Sequence, residues 1–300
     1  MSEDTICPQC QGPTSLYDKG TCTPRQFFST TSGYQIAAGQ IRERLPIYVC
    51  RVCGHGFTPL DVEPSQISRW YHATAPDFTF VAQEKARRRT ARAILHWAEG
   101  YTPAKGRLLD IGAGPGIFVS EAARRGWSAM GLEPSTWAVR YGQEHFGIEM
   151  KLGETAALQE VPPNSCDVVT LFDVIEHVAD PRALIEAAAA IVRPGGLLVL
   201  TTPRFDSLLA RIMGRRWYCI FPAHIQYFTQ RSLFALLQSA GFSILLHRTH
   251  TRYLSGHYIW QRLVAWLTGK SGTPAVSTHP LILPVNFGDE FEVYARKQPG

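Results

Sequence analysis

The sequence predicts an α/β protein: a doubly wound, mostly parallel sheet of seven strands, with a small metal-binding ribbon at the N-terminus. Three observations predict it. An apolar run through Leu108, Leu109 and Ile111 passes directly into a glycine-rich turn at Gly112, Gly114 and Gly116. From there to Pro203, strand-like and helix-like patterns alternate at the pitch of βαβ units. Two Cys-x-x-Cys pairs, Cys7/Cys10 and Cys50/Cys53, precede all of this.

The chain has 300 residues, 45% hydrophobic and 18% charged, a length that suits about two domains. We divide it into a ribbon (1–60), a helical leader or lid (61–104) and a main domain (105–300) that carries a cap insertion at 254–288. The net charge of +5 permits an anionic partner without demanding one. No run reaches the ~18 apolar residues of a membrane span, and Met1-Ser-Glu-Asp-Thr5 does not read as a secretory signal. A cytoplasmic location is therefore expected. Thiols stay reduced there, so the seven cysteines read as metal ligands or buried apolar residues before disulfides.

Within the ribbon, Cys7, Cys10, Cys50 and Cys53 together make a tetrahedral four-thiolate site for a structural Zn2+, with no position left open for substrate. The gap between the knuckles exceeds the usual ~15–20 residues, and residues 21–48 have room for ribbon strands. Cys22 and His55 are alternative ligands, whereas Cys166 opens a strand and reads as core. In the leader, aromatic residues around Trp70 and Phe78 precede a helix over about 81–99. A lid there would make Tyr71 a cofactor contact.

The sheet can be followed element by element. Strand one spans 108–112 and its helix about 117–125. Strand two covers 128–133 and ends on Glu133, about 20 residues past the glycines, where a carboxylate can accept from ribose hydroxyls. A helix over about 136–146, strand three at 148–152 and a turn at Gly153-Glu154-Thr155 follow. Strand four is 167–172. A helix over about 181–192 is stopped by Arg193-Pro-Gly-Gly196, and strand five is 197–202. Ligands bind outside the carboxyl ends of such strands, so Gly112, Glu133, Glu154 and Asp173 should share one crevice.

The glycine spacing, Gly112-x-Gly114-x-Gly116, is tighter than the G-x-G-x-x-G dinucleotide fingerprint. With Asp110 inside the strand, it resembles motif I of class I S-adenosylmethionine-dependent methyltransferases. LLDIGAGPG, GLEPS, DVVTLFDVIEHVADP and RPGGLLVLTTP together are similar to the small-molecule group that includes ubiquinone-biosynthesis O-methyltransferases. That resemblance implies a Rossmann-like methyltransferase fold closed by the strands 242–249 and 291–297, the last one antiparallel. It also implies that Asp110, Gly112, Gly114 and Gly116 form the cofactor loop and that Glu133, Pro134 and Ser135 flank the ribose. Glu154 and Thr155 would flank the adenine, and Asp173 would border the methionine end. The implied cofactor is S-adenosylmethionine.

Asp173, Glu176 and His177 share a helical face at i, i+3 and i+4. Some ubiquinone-type relatives carry Glu-x-x-Glu-His there, a proposed divalent-metal set. Asp in the first position shortens that reach, so Asp173 is read as touching the cofactor and His177 as packing.

Methyl transfer to oxygen needs a positioned nucleophile and a base. His224, in Pro222-Ala-His-Ile-Gln-Tyr-Phe-Thr229 after strand five, is the expected base, with Tyr227 and Asp173 as second choices. The insertion 205–222 should form the opposite wall of the crevice and a helix over 256–269 its cap, which also offers a weak membrane-surface contact. An aromatic, partly basic pocket suits a small-molecule, glycan or lipid-linked acceptor.

Two other readings have sequence support. A zinc ribbon plus the basic face Lys85, Arg88, Arg89 and Arg92 suits an RNA methyltransferase. Against it, such faces are usually just solvated, and Phe172-Asp-Val-Ile175 replaces the Asn/Asp-Pro-Pro-Tyr block of base-amine methylation. A non-catalytic scaffold that binds the cofactor is the third reading.

Overall fold

The computed structural model describes residues 5–30, 43–63, 66–67, 70, 81–102, 104–268 and 281–299. Tyr71 and most of the aromatic leader lie outside the described residues. In the N-terminal part, β1 (Thr14–Asp18), α1 (Pro24–Thr30), β2 (Ile47–Cys50) and β3 (Gly56–Phe57) follow one another. Helix α2 (Glu84–Tyr101) leads into β4 (Arg107–Ile111), α3 (Ile117–Arg124), β5 (Ser128–Glu133), α4 (Thr136–Phe146) and β6 (Glu149–Leu152). Then come β7 (Cys166–Phe172), α5 (Pro181–Ile191), β8 (Val192–Pro203), α6 (Leu208–Met213), β9 (Gln226–Tyr227) and α7 (Gln230–Ser239). The chain closes with β10 (Phe242–Thr249), β11 (Arg252–Ser255), α8 (Gly256–Thr268), β12 (Ile282–Val285) and β13 (Glu290–Lys297).

The main sheet has seven strands in the order β10-β13-β8-β7-β4-β5-β6. All pairings from β8 to β6 are parallel, while β13 runs antiparallel to both its neighbours, as the sequence predicts. Period-two burial explains the two helical layers. Leu108, Val168 and Val199 face α2 and α3 through Ile94, Leu95, Phe118 and Ala122. Leu109, Val169, Leu198 and Leu200 face α5 and α7 through Leu184, Ile185, Leu233 and Leu236. Cys166 is buried in this second layer.

One element differs from expectation. Arg193-Pro-Gly-Gly196 does not separate helix from strand, because β8 already starts at Val192, paired with Cys166, and resumes at Leu197 opposite Val168. The four residues swell out as an irregularity inside one long strand, since proline cannot donate to the ladder.

The N-terminal sheet holds the least expected feature. Its order is β1-β2-β3-β9, so its fourth strand comes from 170 positions later in the chain, with Gly56 opposite Tyr227 and Phe57 opposite Gln226. Thr58 N–H also donates to the Ile225 carbonyl (2.9 Å). The ribbon is thereby built into the loop that carries His224.

Candidate active site and metal cluster

The glycine loop joins β4 to α3. Gly112 and Gly116 have φ values of 72° and 79°, and the N-cap of α3 is Gly116 itself. A Cβ would stand 2.4 Å from Val174 Cγ2 at Gly112 and 2.4 Å from Ile148 Cδ1 at Gly116. No larger residue fits either turn without moving its neighbours. Gly114, also left-handed at 52°, presents its N–H to Glu133 Oε2 at 2.8 Å, and Ser135 N–H donates to Glu133 Oε1 at 2.9 Å. Glu133 thus stands at the C-terminal end of β5 and bridges the glycine loop to the N-terminus of α4, whose N-cap is Ser135 and whose preceding residue is Pro134. Gly153 N–H donates to the Glu133 carbonyl (3.1 Å), which brings Glu154 and Thr155 to the same rim.

Asp110 sits elsewhere than the turn. It is buried inside the sheet and accepts from Thr170 Oγ1 at 2.6 Å. Burial pushes its carboxyl up to about 7 despite that hydrogen bond. Thr170 carried no sequence signal, because its role depends on β7 lying beside β4.

Asp173 follows β7 with φ at 54°, an uncommon conformation for a non-glycine residue. Its Oδ1 accepts from Thr201 Oγ1 (3.0 Å) and its Oδ2 from Arg252 Nη2 (2.9 Å), while Arg252 also pairs with Glu290. Burial alone would raise the Asp173 carboxyl, but the Arg252 guanidinium outweighs it and holds the group well below the usual carboxylate range. Arg252 is the site residue that sequence reasoning missed. Its partners lie 79 and 38 residues away.

Beside Asp173, three side chains converge. Glu176 Oε1 lies 3.9 Å from His224 Nε2, and the His177 and His224 rings meet edge-on at 4.7 Å. His177 Nδ1 is 2.8 Å from the Ala223 carbonyl and His224 Nδ1 is 2.9 Å from the Cys219 carbonyl. A carbonyl only accepts, so each Nδ1 carries the hydrogen and each Nε2 keeps its lone pair. Burial lowers both imidazoles below their ordinary value, His224 strongly, so both are neutral at pH 7. Glu176 accepts from Thr202 Oγ1 (3.0 Å) through Oε2, whereas Oε1 is buried with no hydrogen-bond partner. Burial, reinforced by the Asp173 charge, raises this carboxyl well above its usual range. One oxygen and two nitrogens within 4.8 Å are also a donor set for a divalent cation. Asp173 is turned to Arg252 instead.

Tyr227 is placed differently from His224. It is buried in an apolar cluster with Ile47, Ala210 and Trp217, with its ring against Phe205. Burial raises its phenol far above the ordinary value.

The four expected thiols do meet. Cys7 Sγ is 3.7 Å from Cys53 Sγ, and Cys10 Sγ is 3.4 and 3.5 Å from those of Cys50 and Cys53. Those separations match the ~3.8 Å edge of a tetrahedron with ~2.3 Å Zn–S bonds. Val52 and Cys53 N–H groups point at Cys50 Sγ (3.3 and 3.4 Å), as in a metal knuckle. Cys22 instead points to the Arg44 carbonyl, and His55 to Gln226. The alternative ligands are therefore engaged elsewhere.

A family model described as a methyltransferase domain matches residues 82–247, more than half of the chain and all of the cofactor loop. The chain belongs to the methyltransferase-domain family. Among curated proteins it is similar to the ubiquinone biosynthesis O-methyltransferases of Cupriavidus pinatubonensis, 38% identical over 114 residues, and Paracidovorax citrulli, 35% identical over 115. Each match covers 36% of this methyltransferase-family chain and 46% or 48% of the relative, so the chain spans about half the length of the curated relatives it matches. Among solved structures, a putative sarcosine dimethylglycine methyltransferase from Galdieria sulphuraria superposes with a TM-score of 0.51 at 16% identity, covering 70% of this chain and 86% of that one. A SAM-dependent methyltransferase from Archaeoglobus fulgidus does so with 0.50 at 18%, covering 74% and 100%. These two likenesses concern the fold alone.

Of the basic face weighed as an RNA grip, Arg88 and Arg92 are engaged within the fold. Arg88 binds Glu84 and Glu121, and Arg92 binds Glu121 at 2.7 Å. Among the described residues, no helix is long and apolar enough to cross a membrane.

Proposed function

We propose that this chain transfers the methyl group of S-adenosylmethionine to an oxygen of a small-molecule, glycan or lipid-linked acceptor in the cytoplasm. The observation that carries the reading is the Glu133 carboxylate, bound to Gly114 and Ser135 N–H groups at the mouth of the glycine loop. A carboxylate at that position would accept from the ribose hydroxyls of a bound nucleoside. Bound S-adenosylmethionine supplies an electrophilic methyl group on sulfur. Gly112, Gly114 and Gly116 would let the backbone approach it, Glu154 and Thr155 would border its base, and Asp173 would border its methionine end.

The residues of the chain supply position and a base. An acceptor hydroxyl entering beside Asp173 would meet the lone pair of His224 Nε2, with Glu176 Oε1 3.9 Å from that nitrogen. The neutral imidazole would take the hydroxyl proton as the O–CH3 bond forms and the S–CH3 bond of the sulfonium breaks, with the neutral thioether as leaving group. Cys219 and Ala223 carbonyls fix both histidines in the tautomer this needs.

Cys7, Cys10, Cys50 and Cys53 hold a structural Zn2+ in this reading, and the ribbon (1–60), leader (61–104) and methyltransferase domain (105–300) are its three parts. The test is incubation of the metal-loaded chain with methyl-labelled S-adenosylmethionine and cell extract, followed by identification of the labelled product. A labelled methyl ether or ester is the expected product; label on RNA, or binding of the cofactor without any labelled product, would refute the reading. Metal analysis should find about one zinc per chain.

A further inference from the structure

Among the described residues, large apolar side chains are exposed most densely along the two insertions, 205–222 and 254–288. Leu208 and Ile212, each 74% exposed, sit four residues apart on α6 with exposed Arg211 between them. At i, i+3 and i+4 the three share one face. The opposite side of this helix is anchored, since Ala210 is buried against Ile47, Trp217 and Tyr227. Arg215 and Arg216 follow, both exposed, and residues 207–222 contain no carboxylate. Tyr218, half-exposed, meets Phe287, 66% exposed, with ring centroids 6.4 Å apart.

That aromatic pair is linked to Asp173 by a short chain of contacts. Tyr218 donates to Asp289, which also accepts from Trp217 Nε1 at 2.8 Å, and the next residue, Glu290, pairs with the Arg252 that holds Asp173. The exposed apolar face, the arginines and the entrance to the site are thus one continuous stretch of structure. Exposed leucine and isoleucine beside unneutralised arginines match a bilayer interface, where alkyl groups enter the acyl boundary and guanidinium groups meet anionic headgroups. A nucleic acid would use the arginines and leave Leu208 and Ile212 in water.

We propose that the outer face of α6, with Arg211, Arg215, Arg216 and the Tyr218–Phe287 pair, docks on an anionic lipid surface and turns the acceptor crevice toward a lipid-borne substrate. The docking stands on the surface itself; only the delivery of an acceptor rests on the methyl-transfer reading above.

The test is co-sedimentation of the full metal-loaded chain with phosphatidylcholine vesicles, with and without about a third phosphatidylglycerol. Binding should require the anionic lipid and weaken with added salt. The Leu208→Ser/Ile212→Ser pair should lower partitioning at least about ten-fold, and each of Arg211→Ser, Arg215→Ser and Arg216→Ser about five-fold. Calorimetric S-adenosylmethionine binding should stay unchanged in every variant, which shows that the fold is intact. No binding by the unaltered chain, or equal binding by the apolar pair, overturns the proposal. So does RNA binding lost only in the arginine variants, or a dimer in solution that the apolar pair dissociates. Vesicle binding without any methylated product would leave the docking standing and remove the methyl-transfer reading.

Discussion

His55 Nε2 and Gln226 Oε1, 171 positions apart, share a buried hydrogen bond of 2.9 Å. The Gln226 amide donates to the Val178 and Ala179 carbonyls (both 3.3 Å), so its oxygen accepts and His55 Nε2 carries the hydrogen. Cys53 adds a carbonyl that accepts from Thr229 Oγ1 at 2.9 Å. The second cysteine knuckle is therefore joined to both ends of the strand that follows His224.

Gln226→Leu leaves the buried His55 N–H without its acceptor and removes the donor to two part-buried carbonyls. The expected loss is roughly 1–3 kcal/mol, because an unmade buried hydrogen bond costs its desolvation. Urea denaturation of the metal-loaded variant measures it; an unchanged midpoint would contradict the bond's contribution.

Removal of the zinc proposed for the cysteine cluster should be felt at the acceptor side before the cofactor side. The cysteine cluster meets the proposed acceptor side through β3, β9 and the His224 loop, whereas Glu133 and the glycine loop are held within the main sheet. With the metal chelated, S-adenosylmethionine affinity should stay within about two-fold, while turnover falls about ten-fold or more as the base loses its position. Equal loss of both would show that the ribbon stabilises the whole fold indiscriminately.

His224→Ala should reduce kcat by about a hundred-fold or more with cofactor binding intact. Burial holds the His224 imidazole well below its ordinary value, so the acid limb of the unaltered protein's pH–rate profile should fall below pH ~6.5. The base must be neutral to accept a proton, and lowering its pKa extends that form toward acid. Full turnover in the variant, or an acid limb above pH ~6.5, would remove His224 from the role.

Glu133→Gln keeps the size of the side chain and removes its charge. S-adenosylmethionine should bind about ten-fold more weakly, since charge-assisted hydrogen bonds are about twice as strong as neutral ones. Calorimetry with S-adenosylmethionine reads the change directly.

Asp110 makes a pH prediction with a definite sign. Its carboxyl is raised from 3.8 to about 7 in the folded chain, so the folded state binds more protons than the unfolded one between those values. Its contribution to stability is complete below pH 3.8 and is lost as pH rises to about 7. The slope is at most about 1.4 kcal/mol per pH unit. Asp110→Asn should cancel that slope, so its stability relative to the unaltered chain should grow with pH across the window. Parallel stability curves for the two proteins would contradict it.

The sequence by itself determined the order of strands and helices from 107 to 203, apart from the irregularity at Arg193–Gly196 inside β8, the closing pair of strands, the glycine turn with Glu133, and the four cysteines. Each of these is written locally: period-two and 3.6-residue patterning, turn residues that need positive φ, and two ligands per knuckle. The tertiary structure decided which partner each polar side chain has. Only when β7 lies beside β4 does Asp110 meet Thr170, and only when β13 inserts beside β8 does Glu290 bring Arg252 to Asp173. The basic face of α2 reads as free cation in the sequence, yet Arg88 and Arg92, two of its four cations, are paired with Glu121 from α3. The link between ribbon and His224 was equally invisible, because a two-residue strand such as β9 has no periodicity to detect. Hydrophobic pattern is a property of neighbours along the chain, whereas the environment of a charge is set by whichever strand ends the fold brings together.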